Sequence, residues 1–111
     1  MFVFKEPSDA SFEKVGIKGK IFPISELTKK TQYFLVETEK GHETEIIEHE
    51  CDFVYYVLKG HGYFQIDGVK EECFAGNLIV IPAGKKFTYK GNLKMIATST
   101  PPWFESQEET L

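Results

Sequence analysis

Val54-Tyr55-Tyr56-Val57-Leu58-Lys59-Gly60, followed by Gly76-Asn77-Leu78-Ile79-Val80-Ile81-Pro82-Ala83-Gly84, is the part of the chain whose reading decides the fold. Each stretch is a short apolar run, rich in β-branched and aromatic residues, that ends in glycine, and proline stops the second run. Runs of this length bounded by turn residues read as strands. Outward from them the pattern repeats at residues 2–4, 17–22, 33–36, 46–47, 63–66, 87–89 and 93–97. Helical spacing is offered only by residues 24–29, at most one turn after the capping candidate Ser25. The turns carry their own chemistry: Asp67-Gly68 is a tight hairpin signal, and Gly60-His61-Gly62 and Gly91-Asn92 permit positive φ. The reading is all-β, with hairpin-joined strands that close into a sandwich or barrel. Residues 105–111 are polar and acidic and read as a loose tail.

A chain of 111 residues supports one domain. Its 41% hydrophobic and 14% aromatic content, with ten Phe and five Tyr, is enough to build a packed interior, which excludes disorder for most of it. No apolar run approaches the ~20 residues that span a bilayer. The start, Met1-Phe2-Val3-Phe4-Lys5-Glu6-Pro7, lacks the pattern of an export signal, so the expectation is a cytoplasmic protein without a membrane partner. Thirteen basic against 17 acidic residues leave a net charge of −4, which repels phosphate backbones and argues against nucleic acid. Cys51 and Cys73 are not a C-x-x-C pair and read as free thiols.

One constellation is more specific than generic β: Gly41, five residues, Ile47-Glu48-His49, three residues, Phe53, six residues, Gly60; then Gly76, five residues, Pro82-Ala83-Gly84, two residues, Phe87. This resembles the two motifs of small single-domain cupins, in order and at a plausible separation, over roughly residues 33–102. The resemblance implies a jelly-roll barrel, a double-stranded β-helix, in a single domain 1–111: N-terminal strands in 1–32, barrel core in 33–102 and C-terminal tail in 103–111. It also implies pairing as a homodimer, with which the apolar start of the chain is consistent. In the family, two histidines and a glutamate of the first motif and a histidine of the second hold a metal. Here those positions read Ile47, His49, Phe53 and Phe87. One imidazole among hydrocarbon does not hold a divalent cation, so the metal site reads as degenerate and no cofactor is expected.

Strand alternation then places His49 with Ile47 and Glu45 on one face, and Phe53, Tyr55 and Val57 on the next strand's inner face, with Phe87 and Tyr89 as a second wall. The predicted ligand pocket is Ile47, His49, Phe53, Tyr55, Phe87 and Tyr89: a polar handle among rings, suited to a small organic molecule. A lone histidine among aromatics is more often a hydrogen-bonded core residue than a catalyst, and the tyrosines are as readily packing residues with satisfied hydroxyls. His42, in a charged turn, and His61, between glycines, read as solvated loop residues. Three functions follow. The first is a metal-free cupin that binds a small organic molecule without transforming it. The second, by resemblance to the sugar-nucleotide epimerases and isomerases of the superfamily, is a metal-independent isomerase or epimerase on a sugar-type substrate, with His49 as base and Tyr55 or Tyr89 as acid. The chain has no arginine for a diphosphate, which weighs against nucleotide-sugars. The third is a metal enzyme with atypical ligands Glu45, His49 and His61.

Overall fold

The computed structural model describes residues Met1–Leu111. Its strands are β1 Phe12–Lys14, β2 Ile17–Ile21, β3 Gln32–Thr38, β4 Ile46–Glu48, β5 Asp52–Ile66, β6 Val69–Phe74, β7 Leu78–Ile81, β8 Lys86–Thr100 and β9 Glu108–Thr110, with one 3-10 turn at Glu105–Gln107 before β9. They join in one curled antiparallel sheet in the order β1-β2-β3-β8-β4-β9, while β5 pairs with β6, β7 and β8. This is the expected all-β jelly-roll barrel. No helix is long and apolar enough to cross a membrane.

The two fifteen-residue strands make the architecture. β5 and β8 pair along almost their whole lengths, from Asp52 opposite Thr100 to Ile66 opposite Phe87. A ribbon that long must bend to enclose a core; its register shifts between Val57 and Lys59, and beyond that Gly62 lies opposite Gly91. Gly60 has φ 92° and Gly91 φ 123°, and a Cβ on either would run into the backbone of the opposite strand. The Gly91-Asn92 pair therefore lies inside a bent strand rather than in a turn. Asp67-Gly68 does form the β5–β6 hairpin, both residues at positive φ.

Period-two alternation then fills the interior. Phe53, Tyr55 and Val57 of β5 and Phe87, Tyr89, Leu93 and Met95 of β8 are all buried in one cluster. The rings interlock: Tyr55 lies 5.1 Å from Phe64, Phe64 lies 4.9 Å from Tyr89, and Phe53 stands 6.4 Å from Phe87 between centroids.

The C-terminal segment differs from the loose tail its composition suggests. β9 pairs with β4, Ile46 opposite Thr110 and Glu48 opposite Glu108, and Gln107 is buried. Its polar side chains are used inward as hydrogen-bonding partners, which composition alone does not reveal. Residues 2–4 form no strand and are exposed at Phe2 and Val3.

Candidate functional site

The phase of β4 decides which polar groups face the interior. Ile46 and Glu48 are buried, whereas His49 is exposed and Ile47 half-buried. His49 Nε2 lies 2.8 Å from Glu109 Oε1 on the outer surface, and half of each side chain is accessible. The placement of His49 and Ile47 in the barrel pocket is therefore corrected by one residue. The cause is the register that sets Ile46 opposite Phe87, which turns every even-numbered side chain of β4 inward. Phe53, Tyr55, Phe87 and Tyr89 are brought together as expected.

The histidine that joins them is His42, which is buried instead of solvated. Gly41 adopts φ 112°, and a Cβ there would strike the Tyr89 carbonyl, so only glycine lets this loop lie against β8. The His42 N–H then donates to Tyr89 O at 2.8 Å, and Thr88 Oγ1 and Lys90 Nζ donate to His42 O at 3.0 and 2.5 Å. The ring meets Tyr89 edge-on at 5.6 Å, and Tyr89 meets Tyr55 at 5.4 Å. His42 Nδ1 sits 2.7 Å from Thr44 O. A carbonyl only accepts, so Nδ1 carries the hydrogen and Nε2 is left with its lone pair. Burial holds the His42 pKa below its ordinary value, against the opposing bond to Thr44 and the charge of Glu108. The ring is neutral near pH 7.

The tyrosines are shifted the other way. Burial lifts Tyr55 well above the usual phenol range, reinforced by Tyr89 and by the charge of Glu48. Burial also raises Tyr89, against the hydrogen bond it receives from Tyr55. Both phenols therefore keep their protons. Beside them, Glu48 is only 3% exposed. Its carboxyl is pushed up to about 8, first by burial and then by the hydrogen bond and charge of Glu108, while Gln107 and Trp103 draw it back. Gln107 Nε2 donates to Glu48 Oε1 at 3.3 Å, and Trp103 Nε1 to Glu108 Oε1 at 3.2 Å.

His42, Glu48 and Glu108 are the residues that sequence reasoning missed. Adjacent Ile46 and Ile47 make both phases of β4 plausible, and only the register separates them. The same register disposes of the atypical ligand set. His49 pairs with Glu109 and His61 stacks on Phe74 at 6.0 Å, so Glu45, His49 and His61 do not converge. The four family metal positions do not fit an ion either: two are buried phenyl rings, one is a hydrocarbon and the fourth faces outward. An open groove of about 1180 Å³ is lined among others by Gly41, Lys59, His61, Lys90 and Lys94; Gly41 and Lys90 are chain neighbours of His42 and Tyr89.

The cupin domain model matches residues 34–97, more than half of the chain. The chain belongs to the cupin family. Among solved structures it is similar to Streptomyces Pac13, described as a unique nucleoside dehydratase, with 23% identity, a TM-score of 0.90, and 100% of this chain and 91% of that one covered. The H42Q, Y55F and Y89F variants of Pac13, each with uridine, match equally well, at TM-scores of 0.88 to 0.90. KdgF from Halomonas is similar at 21% identity and a TM-score of 0.72, covering 84% of this chain and 86% of that one. A predicted oxalate decarboxylase from Thermotoga maritima is similar at 15% identity and 0.74, covering 90% and 99%. At these identities the likeness establishes the fold. No match was found among the curated proteins.

Proposed function

We propose that this cupin is a metal-independent acid–base enzyme acting on a nucleoside-like or related sugar-type carbonyl compound, with His42 as its proton carrier. The observation that carries the reading is the buried contact of His42, Tyr55 and Tyr89. Pac13 variants changed at H42, Y55 and Y89 hold uridine, and this chain has the same residue types at the same numbers in an end-to-end match. With only three histidines and five tyrosines available, that agreement supports a shared site.

The protonation states limit the mechanism. His42 Nε2 is a weak base, so the C–H it attacks must be acidified by an adjacent carbonyl. The neutral phenols of Tyr55 and Tyr89 are suited to hydrogen-bonding the oxygen on which charge develops. Because neither gives up its proton readily, His42 both takes and returns one. It removes hydrogen from carbon, the C–H pair forms the new double bond as hydroxide leaves the next carbon, and the imidazolium proton goes to that oxygen as water. If the proton returns to a neighbouring carbon instead, the outcome is isomerisation. A small organic ligand seated among the aromatic rings, without turnover, is the reading shared by a pure binding module.

The test is calorimetry with uridine, then proton NMR of nucleosides carrying a ribose carbonyl, in deuterated buffer. Binding with deuterium incorporation or loss of water, abolished in His42→Gln, supports the enzyme. Binding with no exchange in the native protein leaves the module, and absence of any binding refutes both. The homodimer is likewise a proposal, checked by gel filtration with light scattering.

A further inference from the structure

β9 is a three-residue edge strand that pairs with β4 alone, too short to hold itself in place. It is held by His49 N donating to Gln107 O at 3.0 Å, Leu111 N donating to Glu45 O at 3.0 Å, and the buried Gln107 amide. At its start the register sets Glu48 directly opposite Glu108, so the two side chains leave the sheet on the same face, Glu48 buried and Glu108 half-buried. Two carboxylates in that arrangement repel each other, and neither has a hydrogen to donate. One proton between them removes the repulsion and makes a hydrogen bond. Each carboxyl also receives one N–H, Glu48 from Gln107 Nε2 at 3.3 Å and Glu108 from Trp103 Nε1 at 3.2 Å.

We propose that Glu48 and Glu108 share a single proton, and that this proton is a latch holding the C-terminal strand against the wall of the His42–Tyr55–Tyr89 cluster. When hydroxide takes the proton, two carboxylates face each other in a buried setting and β9 lifts from β4. The titratable neighbours do not replace the latch. Tyr55 and Tyr89 stay neutral, as does His42 in the alkaline range, and the Cys51 thiol is held up by burial. Glu50, two positions on, is exposed, and His49 with Glu109 forms a separate ion pair on the outer face. The raised pKa of Glu48 agrees with a proton held at neutral pH. That opening the latch exposes a catalytic cluster rests on the proposed function; the latch itself does not.

Hydrogen exchange on the ligand-free protein tests it, following the amides of His49 and Leu111 against those of β3, with rates corrected for base catalysis. Between about one unit below and one unit above the Glu48 pKa, protection of His49 and Leu111 should fall roughly tenfold, while β3 stays unchanged. Glu48→Gln and Glu108→Gln should each abolish the fall, and Glu109→Gln, which removes only the surface pair, should keep it. Flat protection in the native protein, the same fall in Glu48→Gln, or a parallel loss in β3 overturns the latch. Because no ligand is present, failure here leaves the acid–base reading intact, and failure of uridine to bind leaves the latch intact.

Discussion

Replacing Glu48 with glutamine converts the buried carboxyl into a thermodynamic measurement. The group has an ordinary pKa of 4.5 and about 8 in the folded protein, so between these values the folded chain holds one proton more than the unfolded chain. The stability this contributes is full below 4.5 and is lost as pH rises towards 8, at up to ~1.4 kcal/mol per pH unit. His42 has the opposite sign: its folded pKa is depressed below 6.5, so its contribution is lost as pH falls beneath that value. The window from 6.5 to 8 therefore isolates the carboxyl. Across it the native protein should lose about 2 kcal/mol, roughly 6–10 °C in Tm for a domain of this size. Glu48→Gln keeps the amide bond network within reach, cannot ionise, and should show no such slope. Urea unfolding at several pH values, followed by fluorescence of Trp103, measures both. A native stability that is flat or rising across the window, or a glutamine variant with the same slope, would refute the assignment of a protonated acid to this site.

Three further outcomes are expected. Tyr89→Phe removes one hydroxyl from a site with no change of ring packing, so its unfolding free energy should stay within about 1 kcal/mol of native while uridine affinity falls at least severalfold by calorimetry. Phe64→Ala empties a position that touches both Tyr55 and Tyr89 and is 1% exposed, and denaturant unfolding should show a loss of about 3–5 kcal/mol. Gly60→Ala puts a Cβ into the Asn92 carbonyl at φ 92°, and a loss under about 1 kcal/mol would mean that the β5–β8 corner is not packed as described.

The sequence by itself determined the barrel and its aromatic lining. Glycines and a proline at family spacing mark where strands must turn or stop, and Phe87 and Tyr89 alternate with Lys86, Thr88 and Lys90 so that one phase buries them, while Phe53 and Tyr55 share a face by their two-residue spacing. It also showed that hydrocarbon stands at three of the four metal positions, since that follows from residue type. Only the tertiary structure decided which histidine belongs to the interior. Ile46 and Ile47 satisfy either phase of β4, and the choice is made by pairing with Phe87 across the sheet, which sends Glu48 inward and His49 out to Glu109. His42 and Glu108 lie in segments whose local composition is that of solvated loop and tail. They become site residues because Gly41 permits close approach to Tyr89 and because β9 pairs with β4, contacts made between positions far apart in the chain. Period and composition report on neighbours along the backbone, and the chemistry of this site is assembled across it.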